Sequence, residues 1–140
     1  MPLDPEHYAG LAGFRLALRQ FLAASEAISK AAGVTPQQYQ AMLAIKTWPD
    51  EAMTIKDLSE QLLLTHHAAV QLVNRLAKAG LAQRTPSSTD GRSVLVQLTS
   101  RGLALVDALA GQHMDEMLRQ EPLLSRSLRR LKRMGADGPG

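Results

Sequence analysis

The chain has 140 residues, 45% of them hydrophobic and 21% charged, with a net charge of +3, which fits one folded domain with its own core. It contains no cysteine, so disulfides, thiolate metal ligands and catalytic or redox-sensing thiols are excluded. The sequence shows no run of about 18 apolar residues and no basic, apolar leader, so we expect a cytoplasmic protein that engages no membrane.

Two helices are predicted in the first third of the chain. Residues 6–31 form the first, because apolar side chains recur at alternating three- and four-residue steps, and Gly33 ends it. Thr35 begins the second helix, where Gln38 completes a capping box, and the segment around Pro49 ends it. The apolar seam of the first helix consists of Leu11, Phe14, Leu18, Phe21 and Ile28.

Two shorter helices follow, separated by a brief turn. Thr54 is placed to cap the first of them, and Leu58 belongs to its buried face. Thr65 caps the second, which runs to about Ala79 before Gly80 terminates it. Two close-packed helices of this kind can present the second one to the major groove of DNA.

A β-hairpin is predicted next. Residues 81–85 and 93–98 have the character of short strands, and in the second strand alternate residues point to opposite sides. Residues 86–92 join them and include the favoured turn pair Asp90-Gly91. Because this loop is longer than a two-residue turn, we expect its tip to project.

Two helices complete the predicted order. Thr99 caps one that reaches about Gln120, Pro122 opens the last, and residues 135–140 are expected to be a frayed tail. The order is therefore α-α-α-α-β-β-α-α. This is a mainly α fold with a small β-hairpin.

The fourth helix has two contrasting faces when its residues are placed at about 100° intervals. The face expected to pack on the preceding helix consists of Ala69, Leu72, Val73 and Leu76. No acidic residue occurs between Glu60 and Asp90, and a duplex would repel carboxylates, although a solvated amphipathic helix remains the alternative. Asn, Gln and Arg can bond base edges. The residues predicted to contact DNA are Thr65, His66, His67, Ala68, Gln71, Asn74, Arg75 and Lys78.

His66 and His67 are adjacent in the sequence, and we expect them to have separate roles. Neighbouring helical residues point about 100° apart and cannot easily chelate one ion, so we expect no metal here. His66 lies near the packed flank and is expected to pack or to bond a phosphate, while His67 points outward towards a base or phosphate. A metal-responsive regulator that uses His66, His67 or His113 is kept as an alternative.

The hairpin tip offers a second contact. Asp90 stands two residues before Arg92 and can brace it, while Arg92 reaches a phosphate or the minor groove. An ordinary solvated turn could contain the same residues, but the position after two close-packed helices favours the DNA contact. The residues predicted for this contact are Arg84, Ser87, Ser88, Asp90, Gly91 and Arg92.

Residues 126–133 hold five basic side chains and no acidic one. Three interpretations stay open: a solvated helix face, a surface near DNA, or a set of salt bridges to a partner subunit. The sequence contains no Gly-rich phosphate loop, no Gly-x-Ser-x-Gly and no close pair of carboxylates in an apolar setting. We therefore expect neither an enzyme nor a cofactor.

Residues 53–102 resemble the MarR family of winged-helix transcription regulators. The resemblance rests on the stretch from Leu64 to Leu76, on Lys78-Ala79-Gly80-Leu81, and on Arg84, Asp90-Gly91-Arg92 and Val94–Gly102. The flanking helices match the family's order, so the resemblance covers nearly the whole chain. Ala68 departs from a Ser or Thr common at that place, which puts one hydroxyl contact in doubt.

The resemblance implies one MarR-like winged helix-turn-helix domain over residues 1–140. Its DNA-binding lobe would cover residues 53–99, and residues 6–31 and 100–134 would supply dimerisation helices. A homodimer would place two lobes on a pseudo-palindromic operator of double-stranded DNA, with half-sites about 34–36 Å apart. The implied function is transcriptional regulation, with repression of nearby genes as the expectation.

The resemblance also implies a small-molecule effector. Many members of the family bind phenolic or aromatic acids in a crevice between the dimer helices and the DNA-binding lobe. The candidate residues for such a site are Phe14, Tyr39, Met42 and His113. The cysteine-based peroxide sensing of some relatives is impossible in this chain. A winged-helix protein-interaction module without DNA binding is the alternative function.

Overall fold

The computed structural model describes residues 2–87 and 94–137, with side chains as far as residue 133. In these ranges the α-helices are α1 (Pro5–Ala31), α2 (Pro36–Thr47), α3 (Ile55–Leu62), α4 (His66–Lys78) and α5 (Ser100–Asp137), and a short 3-10 helix covers Pro49–Glu51. The strands are β1 (Ala52–Met53), β2 (Ala82–Pro86) and β3 (Val94–Leu98). The chain divides into a first unit, residues 1–28 with 112–140, and a second unit, residues 29–111. No helix within the described ranges is long and apolar enough to cross a membrane.

Local capping chemistry sets the helix ends where the sequence predicts them. The Thr35 hydroxyl accepts a hydrogen bond from the Gln38 N–H at 3.0 Å, and the Thr35 N–H donates to Gln38 Oε1 at 2.8 Å. Gly33 (φ 80°) and Gly80 (φ 75°) take left-handed backbone after α1 and α4, which glycine adopts without steric penalty. The predicted capping box and both predicted stops are therefore confirmed.

A single helix, α5, replaces the two C-terminal helices predicted from the sequence. Pro122 lies inside it rather than at the start of a new helix, and residues 135–137 belong to it rather than to a frayed tail. Proline removes one backbone hydrogen bond from a helix interior. Buried side chains flank it within the first unit, Gln120 before it and Ser127 after it. Packing on both sides offsets the local cost, which propensity alone cannot reveal.

Within the first unit, α1 and the C-terminal part of α5 approach each other at two glycines. A Cβ atom at Gly10 would lie 2.9 Å from the Ser127 carbonyl oxygen, and one at Gly13 would overlap Ser127 Oγ. A side chain at either position would force the two helices apart. The face of α1 that is buried in this chain therefore carries small residues and His7, and the apolar seam lies on another side.

The core of the second unit joins helices and sheet. Its strands pair antiparallel in the order β1-β3-β2, with Val96 opposite Met53 on one side and Arg84 on the other. The sequence did not predict β1, because two residues are too few to show alternation. The fully buried side chains of this core include Met42, Ile45, Met53, Leu58, Leu72, Leu76 and Val96.

Candidate nucleic-acid interface

Helices α3 and α4 form the predicted pair of close-packed helices. Thr54 and Thr65 each accept a hydrogen bond from the backbone N–H three residues later, at 3.1 Å in both cases. Leu63 takes a left-handed conformation (φ 55°) in the turn, and the Leu64 N–H donates to the Ser59 carbonyl at 2.8 Å. The cap at Thr65 and the closed turn that precedes it hold the start of α4 in a defined direction.

Helix α4 buries one face completely. The four residues predicted to pack are at most 1% exposed, which confirms that prediction: Ala69, Leu72, Val73 and Leu76. The opposite face is solvent-exposed at His67, Gln71, Asn74, Arg75 and Lys78, and Ala68 at its edge is half-buried. Rotation of α4 would expose its apolar face to water, so burial keeps the same polar residues turned outward.

His66 does not pack, contrary to one of the two roles expected for it. Its side chain is exposed, because it is the first residue of α4 and precedes the first fully buried position, Ala69, by most of a turn. The phosphate-bonding role of His66 stays a prediction. Among the described side chains, those of residues 2–87 and 94–133, no three His, Asp or Glu residues come close enough together to hold a metal ion.

Arg84 of β2 reaches the outer face of α4. Its Nη2 donates a hydrogen bond to Asn74 Oδ1 at 2.5 Å. A guanidinium only donates, so this contact fixes which side of the Asn74 amide carries oxygen and leaves its NH2 group free to donate elsewhere. The two residues are ten apart in sequence and lie on different elements, so no periodicity in the sequence predicts this pair.

Thr99 ties the base of the hairpin to the end of α4. Its hydroxyl donates to the Gly80 carbonyl at 2.7 Å and accepts from the Gly102 N–H at 3.1 Å. Its own N–H donates to the Leu81 carbonyl at 3.0 Å. A Cβ atom at Gly102 would overlap that same Leu81 carbonyl oxygen. The sequence predicts Thr99 as a helix cap, and the structure adds its role in joining α4, β3 and α5.

The predicted contacts near the hairpin tip are described only in part. Arg84 is exposed on β2, and Ser87 is half-buried at the end of the first described range. The remaining residues lie outside the described ranges: Ser88, Asp90, Gly91 and Arg92. The strands below them are paired from Ala82 opposite Leu98 to Pro86 opposite Val94. This register brings the two strands side by side up to the start of the tip.

The candidate effector residues divide between the two units. Phe14, 38% exposed, and the buried His113 belong to the first unit, where Ser25 Oγ and His113 Nε2 are hydrogen-bonded at 2.7 Å. Tyr39 and Met42 are buried in the second unit. Desolvation by burial raises the pKa of the Tyr39 phenol above its ordinary value. A ligand role for these four residues stays a prediction.

Sequence comparison connects this geometry to known proteins. The family model described as MarR family matches residues 32–93. Over 72 residues the chain is 38% identical to the organic hydroperoxide resistance transcriptional regulator of Bacillus subtilis (strain 168), covering 51% of this chain and 48% of that protein. The chain therefore spans about half the length of that relative.

Solved structures share the fold. AbsC, a MarR family transcriptional regulator from Streptomyces coelicolor, superposes with a TM-score of 0.76 at 18% identity, over 95% of this chain and 91% of that chain. A mutant MarR from E. coli complexed with operator DNA superposes with a TM-score of 0.70 at 19% identity, over 88% of each chain. At these identities the likeness concerns the fold alone.

Proposed function

We propose that this chain is a MarR-family winged-helix regulator that controls transcription by binding double-stranded DNA at a specific sequence, because the MarR family model matches residues 32–93 and the fold is that of MarR regulators. The observation that carries the proposal is the outer face of α4, which is exposed, polar and without acidic residues. A solved relative with the same fold is complexed with operator DNA. We propose a cytoplasmic location, where such a regulator would meet genomic DNA.

We assign different roles to residues along α4. Gln71, Asn74 and Arg75 would meet base edges in the major groove, since amides and guanidinium groups match the donors and acceptors there. His66 and Lys78, at the two ends of the helix, would bond phosphates, and His67 would bond a base or a phosphate. Phosphate contacts set the register of the helix, while base contacts select the sequence.

We propose that the hairpin makes a second contact. Arg84 stands on β2 and is paired to Asn74, so it links the hairpin to the helix that enters the groove. Asp90 and Arg92 of the tip would follow beyond β2, with Arg92 directed to a phosphate or the minor groove. A protein that contacts the duplex at two places binds it more tightly and in a better-defined register.

We propose further that the chain acts as a homodimer on a pseudo-palindromic operator. Large apolar side chains of the first unit are exposed on α1 and α5: Tyr8, Leu11, Phe14, Leu18, Leu22, Met114, Met117, Leu118 and Leu128. Soluble monomers rarely expose so many neighbouring apolar groups, and a second copy would remove them from water. Two lobes related by a twofold axis would engage half-sites about 34–36 Å apart.

Repression and relief by a small aromatic acid complete the proposal. A bound lobe covering a promoter would block transcription of nearby genes. An effector could relieve this only through a higher affinity for the form that misfits the operator. Met42 is 0% exposed, so a ligand would touch it only after the core repacks. Phe14, which is partly exposed, is the more accessible of the four candidates.

The test is selection of duplexes from random DNA with the full chain, followed by mobility shifts on the selected motif. Wild type is expected to select one pseudo-palindrome and to lose affinity steeply as salt rises. Gln71→Ala should lose affinity and relax base preference at one position of each half-site. Gln40→Ala, at an exposed position on α2, is the matched control and should leave both unchanged.

Two outcomes would overturn the proposal. The first is that no duplex is enriched and none binds tightly at low salt. The second is that wild type instead recovers a stoichiometric protein partner and selects no DNA motif, which would indicate a protein-interaction module. Thermal shifts with 2-hydroxybenzoate, alone and with operator bound, test the effector separately.

A further inference from the structure

The first unit contains a cationic cleft that the DNA-binding proposal does not use. The cleft has a volume of about 590 Å³ and is lined by Glu6, Arg126, Arg129, Arg130, Lys132 and Arg133. These are the basic residues whose role the sequence leaves open. They belong to the first unit together with Glu6 of α1.

The positive charges in the cationic cleft repel one another in the free protein. Arg126, Arg129, Arg130 and Arg133 follow the i, i+3, i+4, i+7 spacing that places residues on one face of a helix. Like charges at this spacing repel. The sequence supplies no acidic residue between Glu121 and Asp137 to relieve them. An anion bound among these groups would remove the repulsion.

Among the described side chains that line the cleft, Glu6 is the one carboxylate. Glu6 Oε2 lies 3.4 Å from Arg130 Nε, and both side chains are partly exposed. This single pair leaves four of the five cations in the cleft without a lining carboxylate. The ion pair also holds Arg130 across the space between α1 and α5, which keeps its guanidinium at the cleft.

We propose that the cationic cleft binds a small molecule carrying at least two negative charges, on phosphate or carboxylate groups. Four of its five cations are arginines, whose planar forks bond both kinds of anion in a bidentate manner. Its volume falls within the range of small-molecule sites, about 300–1,000 Å³. All five cations lie within about 11 Å along the axis of one helix, which suits a compact anion better than a duplex backbone.

The experiment uses the full chain without DNA. Isothermal titration with inorganic pyrophosphate and with citrate, at constant ionic strength maintained with sodium chloride, measures saturable binding. Arg129→Gln with Arg133→Gln should weaken binding by at least about tenfold, the effect of losing charge-assisted hydrogen bonds. The matched control is Arg15→Gln with Arg19→Gln, which removes the same charge from exposed positions on α1 outside the cleft and should bind as wild type does.

The outcomes distinguish a phosphorylated ligand from a polycarboxylate. Saturable binding of pyrophosphate alone identifies a phosphorylated ligand, and binding of citrate alone identifies a polycarboxylate. The proposal is overturned if neither anion saturates, or if both double variants weaken binding equally, since net charge would then explain the effect. It is also overturned if the cleft variant binds both anions as tightly as wild type does. Because no DNA enters the titration, failure of operator binding would leave this result unaffected.

Discussion

Arg84 donates a hydrogen bond from Nη2 to Asn74 Oδ1 at 2.5 Å, and this contact joins the hairpin to the outer face of α4. An asparagine that reads adenine uses its oxygen as acceptor and its nitrogen as donor together. With its oxygen engaged by a cation, Asn74 is directed to donate. It is therefore suited to acceptors such as guanine O6 and N7 or a phosphate oxygen.

We predict that Arg84→Ala changes which base Asn74 prefers. Without the guanidinium the amide can rotate and present both of its groups. The frequency of adenine should therefore rise at the operator position that Asn74 is proposed to contact. Affinity for the original operator should fall about tenfold, in keeping with a lost hydrogen bond to a charged group. Duplex selection with Arg84→Ala and mobility shifts on both motifs measure this.

A double-mutant cycle separates the effect of the Arg84–Asn74 hydrogen bond from that of the DNA contact predicted for Arg84. Asn74→Ala, Arg84→Ala and the double variant are measured on one operator. The losses should be less than additive, because either single change already breaks the contact. Strict additivity would show that Arg84 acts on DNA alone and does not orient Asn74.

We predict that Gly102→Ala destabilises the protein by about 1–3 kcal/mol, the usual cost of overpacking a close contact. The added Cβ atom would overlap the Leu81 carbonyl oxygen. Neither atom can turn aside, because the Cβ atom is bonded directly to Cα and the oxygen belongs to the backbone. Denaturant unfolding followed by circular dichroism measures the change.

Gly111→Ala on the same helix is the control, since nothing lies within 4 Å of its added Cβ atom. Better helix propensity should make that variant more stable by about 0.5–1 kcal/mol. Equal stability of both variants would contradict the close approach at Gly102.

We predict that Leu18→Glu converts the proposed homodimer to monomers. Leu18 is 41% exposed within the seam that also holds Leu11 and Phe14, and a buried carboxylate at a subunit interface would be costly. Light scattering after size-exclusion chromatography measures the mass. Gln20→Glu adds the same charge at an exposed polar position of α1 and should leave the dimer intact. A Leu18→Glu protein that elutes as a dimer would place the interface elsewhere.

We predict that Tyr39 ionises at a pH above its ordinary value of 10.0, because burial disfavours the phenolate. The chain has two tyrosines, so Tyr8→Phe leaves Tyr39 as the only one, and its phenolate absorbance can be followed against pH. A folded-state pKa above the unfolded value means that this contribution to stability is complete below pH 10.0 and is lost as the pH rises through the folded pKa. In denaturant the midpoint should return to the ordinary value. A folded midpoint at or below 10.0 would contradict the burial.

Local rules accounted for the parts of this protein whose causes lie close together in the chain. The Thr35–Gln38 capping box, the left-handed stops at Gly33 and Gly80 and the caps at Thr54 and Thr65 all involve residues within a few positions of one another. The two faces of α4 also follow from local periodicity, because an apolar stripe must be buried wherever the helix packs.

Features that depend on distant residues required the tertiary structure. Pro122 continues a helix because packing within the first unit offsets its lost hydrogen bond. The strand β1 exists because β3 offers it an edge, and His66 is exposed because α4 begins before its packed face does.

Residue type and helical period are enough to predict that an acid-free polar face, carrying Gln71 and Arg75, stands opposite an apolar one on α4. The tertiary structure is what sets the direction in which Arg84 turns the Asn74 amide. It likewise gathered the arginines of α5 with Glu6 into a cationic cleft. The physical reason is that side-chain hydrogen bonds and charge clusters depend on the distance between elements, and packing sets that distance after the elements have formed.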